Sequence, residues 1–309
     1  MLHTMRFIIV LLTILICKEV SAQSNKDSLY KHVSVLSLQY ASKNSTHQLN
    51  LLKVSDYIKT NFEHYSTKVY SQRFDFGNNI YKNIITSIGP DTGYRIIVGA
   101  SYDMVGNLPS ADANASGVAG MIELVRILSK IKNLPYRIDF VAFAKGVQYT
   151  SNIEQTGSYL HAKSLFENNV KVLGMINLNS IGYFSNNKKS QSYPMSYYKL
   201  LYGTKGNFIS IYLKSQGGTF ANVFRDFCKL YARNVRIIAF KPLSKMNTLA
   251  RGDQESYQKF GYSSLKITNT AQYRNKNYLQ NTDLPETLDY DKMCVVVNML
   301  YESLKRFKL

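Results

Sequence analysis

Two acids and two hydroxyls gather around one short segment. Ser101 and Asp103 follow an apolar run (Ile96, Ile97, Val98), and Asp112 and Ser116 flank the start of an amphipathic pattern. Carboxylates just beyond a strand suit hydrolysis by metal-activated water. That chemistry needs imidazoles and carboxylates as ligands, plus a carboxylate base to take the water proton. A hydroxyl can instead attack directly, provided a histidine or lysine accepts its proton. Neither set is complete here. Of the five histidines, His3 lies at the extreme N-terminus, His32, His47 and His64 in N-terminal helical patterns, and His161 in a later helix. No two have ligand spacing, and they read as surface or capping residues. No histidine or lysine base can be assigned to Ser101 or Ser116. Asp112 has a plainer reading as the cap of the helix that begins near Ser116, favoured by the helix dipole.

The elements that must position these residues alternate along the chain. Apolar residues three and four apart predict helices over 27–40 and 48–62, an N-terminal helical layer within residues 23–66. Two strands, 69–76 and 81–87, flank a Gly-Asn-Asn turn. Further strands are expected over 95–100, 137–143, 172–179, 208–213, 235–240 and 264–268, and helices over 116–130, 157–166, 219–232 and 288–305. This alternation predicts one α/β domain over 23–309, a mostly parallel sheet with helices on both faces. Ligands in such sheets bind beyond the carboxyl ends of the strands, where Asp103, Asp112 and Asn179 fall. Val118, Met121, Leu124, Val125 and Leu128 read as core, as do Met293, Val296, Val297, Leu300 and Leu304. Residues 185–198 read as a surface loop.

Composition sets further bounds. Arg6, the apolar run 7–16 and Val20-Ser21-Ala22 form a secretory signal cut after Ala22, which predicts a periplasmic or secreted protein. No later segment has the length of a membrane span. The formal net charge of +18 becomes +17 when Arg6, Lys18 and Glu19 are removed. Such a surface either favours acidic partners (envelope polymers, lipid headgroups or nucleic acid, although no nucleic-acid motif accompanies it) or is a plain solubility or lineage effect of a lysine-rich proteome. Cys228 and Cys294 remain after cleavage and read as buried free thiols, with a disulfide permitted by export.

Motifs in order along the chain give these elements a family. Asn83-Ile84-Ile85, Ile96 through Val118 with Ala111-Asp112-Ala113-Asn114-Ala115-Ser116-Gly117, Phe140 to Phe143, Gly157-Ser158-Tyr159-Leu160, Met175 to Tyr183, and a tail from Tyr273-Arg274-Asn275 to Thr287-Leu288-Asp289-Tyr290 together resemble the zinc aminopeptidases of metallopeptidase family 28. The resemblance implies a two-zinc site that releases N-terminal residues from peptides. It assigns a bridging carboxylate to Asp112 and metal or base positions to Ser101, Gly146, Val147, Asn179 and Leu279. It gives Asp103 the task of orienting a histidine that Ser101 replaces. It also implies a pocket lined by Asp103, Asp112, Asn114, Asn179, Asp253 and Tyr273. Among the metal positions only Asp112 keeps a usable ligand. Glu154, the next acid after the missing Glu-Glu pair, is the candidate base.

The losses fit together physically. Without the positive charge of two zinc ions, clustered carboxylates would repel one another and remain poorly solvated. The expectation is therefore a binding or scaffold protein without a cofactor, whose partners are peptides or acidic envelope polymers. The alternative is an active zinc aminopeptidase with displaced ligands. The single-zinc cyclase branch of the family still needs an acid and a histidine that are missing here.

Overall fold

Near-continuous apolar runs place most of the strands at the centre of the molecule. A computed structural model describes residues 23–104, 106–147, 150–213, 218–240 and 251–308. The expected signal segment, 1–22, lies outside the described residues. The strands are β1 (Val69–Phe76), β2 (Asn79–Ile88), β3 (Arg95–Ser101), β4 (Arg137–Phe143), β5 (Val172–Leu178), β6 (Phe208–Leu213), β7 (Arg236–Phe240) and β8 (Ser264–Thr268). They form one sheet in the order β1-β2-β4-β3-β5-β8-β6-β7. The pairs β3–β4, β3–β5, β5–β8 and β6–β7 are parallel. The pairs β1–β2, β2–β4 and β6–β8 are antiparallel.

The helices are α1 (Lys26–Ser34), α2 (Gln48–Glu63), α3 (Ser116–Leu128), α4 (Gly157–Glu167), α5 (Tyr198–Tyr202), α6 (Gly218–Tyr231), α7 (Gln254–Lys259) and α8 (Tyr290–Arg306). The first continues as a π turn, Val35–Gln39. One face of the sheet carries α3, packed against α1 and α8, with α6 on α8. The other carries α4 against α7. Sheet and helices on both faces match the expected α/β architecture.

Two elements differ from the sequence reading. Only one face of α3 was expected to be core, yet every residue from Ser116 to Leu128 except Arg126 is buried, because α1 covers the side turned from the sheet. Gly117 lets the start of α3 lie close against the end of β5, since a Cβ there would lie 2.3 Å from Asn114 Oδ1 and 2.7 Å from the Leu178 carbonyl. The short helix α5 follows the loop 185–197. Cys228 and Cys294 are free thiols, but Cys294 is only half-buried.

Buried charge holds the layers in register. Asp139 on β4 accepts hydrogen bonds from Ser87 Oγ (2.6 Å), Arg95 Nη1 (3.1 Å) and Arg137 Nε (2.6 Å). Glu123 on α3 accepts from Arg126 Nε (2.8 Å) and Nη2 (2.6 Å), and from the Asn25 N–H. This ties the segment before α1 onto the core.

Candidate functional site

The turn between β3 and α3 buries Asp112 completely. Among the described residues its carboxylate receives five hydrogen bonds. Oδ1 accepts from Asn269 Nδ2 (3.1 Å), Gly182 N (3.1 Å) and Ser116 Oγ (3.2 Å). Oδ2 accepts from Asn269 Nδ2 (2.8 Å) and Asn275 Nδ2 (3.1 Å). The orientation of both amides is fixed from their other ends. Asn269 Oδ1 accepts from Ala271 N at 2.8 Å, and Asn275 Oδ1 accepts from Asn277 N at 2.9 Å. Each therefore presents its NH2, not its carbonyl, to Asp112.

This arrangement corrects the reading of Asp112 as a helix cap. No side chain caps α3 at Ala115. The first N–H groups of the turn instead donate to Asp283, from Asp112 N at 3.0 Å and Ala113 N at 3.2 Å. Burial, reinforced by the charge of Asp112, pushes the Asp283 carboxyl up to about 7. Burial also raises Asp112, against the opposing pull of Asn269, Asn275, Gly182 and Ser116.

A second pair of buried acids lies beyond β3. Asp103 accepts from Gly146 N at 3.0 and 3.2 Å, and burial raises it to about 7, with the charge of Asp253 adding to the shift. Asp253 accepts from Val147 N at 3.3 Å and is raised by burial, while the Ser158 and Ser101 hydroxyls favour its charged form. Gly146 and Val147 thus supply N–H donors at the positions where the resemblance expects acids.

Asn114 fastens the two halves of the site. Its Nδ2 donates to the Ser101 carbonyl (3.2 Å) and the Leu178 carbonyl (3.0 Å), and its Oδ1 accepts from Ser180 N (2.8 Å). Asn179 is buried beside it, with its N–H on the Ile267 carbonyl at 3.1 Å. Other expected residues lie elsewhere. Tyr273 packs its ring with the tyrosine cluster of Tyr198, Phe208, Tyr212 and Phe240. Leu279 is exposed on a turn at φ 57°. Glu154 is exposed on the short turn Ile153–Gln155.

Three buried cations at the site had no role in the sequence reading. Lys43 donates to the Leu36 carbonyl (2.9 Å) and to Ser110 Oγ. Burial lowers it to about 8, opposed by Asp103 and Asp283. Lys266 donates to the Arg251 carbonyl (2.8 Å) and is lowered to about 8 by burial, opposed by Glu255 and Asp253. Arg274 donates to Gln191 Oε1 (2.8 Å) and the Phe208 carbonyl (2.7 Å), and burial lowers it to about 9 against the attraction of Asp112. Arg274 and Asn275 lie within the tail motif that the sequence shows. Lys43 sits in an N-terminal connection with no signal in its surroundings.

The donor chemistry does not fit a pair of divalent cations. A carboxylate offers about four acceptor directions, and those of Asp112 are taken by protein donors. Among the described residues no three His, Cys, Asp or Glu side chains converge on a point where a metal could sit. The arrangement suits a buried anion held by neutral donors, with protein cations nearby.

Comparison with known proteins agrees with the fold. Residues 83–303 match peptidase family M28. An uncharacterized protein of Escherichia coli K12, YfbL, is 32% identical across 91% of this chain and 89% of its own length. The glutaminyl cyclase of Fimbriiglobus ruber superposes with a TM-score of 0.70 at 18% identity, covering 92% of this chain and 96% of that one. The LapA aminopeptidase of Legionella pneumophila superposes at 0.68 with 16% identity, covering 91% of this chain and 71% of its own.

Proposed function

Because this chain belongs to peptidase family M28, we propose that it retains the family's pocket as a recognition site and has lost zinc-dependent hydrolysis. The observation that carries this reading is the set of hydrogen bonds on Asp112. A bridging metal ligand must turn lone pairs toward the cations, whereas Asp112 spends them on Asn269, Asn275, Ser116 and Gly182. Converting acids to amides and backbone donors removes the repulsion that zinc would have balanced. Lys43, Lys266 and Arg274 supply the remaining positive charge from within the chain.

Peptides and acidic groups are the proposed ligands. A carboxylate suits the site best, because among the described residues Arg274 Nη2 is buried without a hydrogen-bond partner. The signal pattern read in residues 1–22 supports an action outside the cytoplasm. Among the described residues no helix is long and apolar enough to cross a membrane.

The test is metal analysis of the purified protein, alongside hydrolysis of aminoacyl reporters and cyclisation of a glutaminyl peptide. The expected result is substoichiometric zinc and no turnover. A pair of bound zinc ions with chelator-sensitive turnover would establish the alternative, an active aminopeptidase.

A further inference from the structure

Charge is distributed unevenly along this chain. Residues 168–225 contain no Asp or Glu, yet they carry Lys171, Lys188, Lys189, Lys199, Lys205, Lys214 and Arg225. Continuing to residue 252 adds one acid, Asp226, and the basic residues Lys229, Arg233, Arg236, Lys241, Lys245 and Arg251. The described part of this stretch includes the β6–β7 edge of the sheet and the loop that carries α5.

Within that basic region α5 is inverted. A surface helix ordinarily turns its apolar side chains toward the core. Here Tyr198 and Tyr202 face inward, stacked on each other at 5.7 Å and set edge-on against Phe240 at 5.7 and 4.9 Å. The outward positions carry Leu200, 90% exposed, and Leu201, 64% exposed, next to Tyr197 (40%) and Met195 (42%). The aromatic anchors hold this knob in place, and the Gly203 N–H closes it on the Lys199 carbonyl at 3.0 Å.

Exposed cations surround the knob. Lys199 lies within it, and Arg236 reaches the Tyr202 carbonyl at its C-terminal end. The turn bearing Lys188 and Lys189 lies beside Lys205, because Gly206 bonds both Ser185 and Ser190.

We propose that this knob docks the protein on an anionic lipid bilayer. Leu200 and Leu201 enter the boundary between headgroups and acyl chains, Tyr197 sits at headgroup level, and the lysines meet the lipid phosphates. The leucines decide between possible occupants. A polar polyanion would satisfy the lysines and leave the leucines in water. A second copy of the chain would bring two clusters of like charge together. This proposal is independent of whether the pocket is catalytic.

The test is co-sedimentation of the chain beginning at Gln23 with vesicles of phosphatidylglycerol and phosphatidylcholine, and with phosphatidylcholine alone. Binding is expected on the anionic vesicles only, weakening as salt is added. The paired substitutions Leu200→Asn with Leu201→Asn, and separately Lys188→Glu with Lys189→Glu, should each reduce it about tenfold or more, with Tm unchanged because all four side chains are exposed. Absence of binding, or equal binding to the neutral vesicles, would overturn the proposal. So would retention of wild-type binding by the leucine variant, which would indicate a polyanion site. A dimer dispersed by that same variant would assign the knob to a second copy.

Discussion

The side-chain amide of Asn269 bridges both carboxylate oxygens of Asp112, at 3.1 and 2.8 Å. The amide is locked in that orientation by the Ala271 N–H on its carbonyl oxygen. The pair therefore behaves as a built anion holder, and its parts cannot be exchanged without consequence. Replacing Asn269 by Asp would set two carboxylates face to face in a buried site. The expected cost at pH 8 is about 3 kcal/mol or more, because one charge is left without compensation. Urea unfolding should show partial recovery as the pH falls and the pair takes up a proton. Rescue by added zinc would reveal a latent metal site.

Asp103 makes stability depend on pH with a defined sign. Its folded value of about 7 lies above the ordinary 3.8. Its contribution is thus fully present below about pH 4 and is lost as the pH rises through 7. Asn in its place can still accept the Gly146 N–H but has no proton to lose. Between pH 4 and 8 the stability of the Asp103→Asn variant relative to wild type should improve, by up to about 4 kcal/mol. Urea midpoints measured across that range check the trend, and a flat difference would refute it.

His161 is a buried core residue, not the surface or capping residue its sequence context suggests, and it moves in the opposite direction. Burial lowers it from 6.5 to about 4, and its Nδ1 lies 2.7 Å from the Tyr257 hydroxyl. The stability it contributes is present above pH 6.5 and is lost as the pH falls through 4. NMR titration of its ring protons should give a midpoint near 4, well below that of a freely solvated imidazole.

Glu123 offers a test of the N-terminal attachment. Substitution by Ala strands Arg126 and the Asn25 N–H, and the expected loss is about 3 kcal/mol. Hydrogen exchange should show the start of α1 opening first, with the sheet protected until global unfolding.

The fold was legible because most of its strands are apolar runs and its landmarks occur in order. Of the candidate site, only the place of Asp112 just beyond β3 was legible. Asp112 read as a cap because a sequence displays its neighbours, whereas its partners arrive from residues 182, 269 and 275. Asn269 carries no distinguishing pattern, and Lys43 contributes a charge from a connection that precedes the sheet. The full burial of α3 was hidden for a similar reason, since its second covering layer comes from α1.

Asp283 closes the turn at Ala113 across a separation of 170 residues. During synthesis from the N-terminus, β3 and α3 leave the ribosome long before the side chain that completes their junction. The junction is therefore completed late, and a chain shortened just before Asp283 would keep all eight strands while lacking the carboxylate that closes the turn.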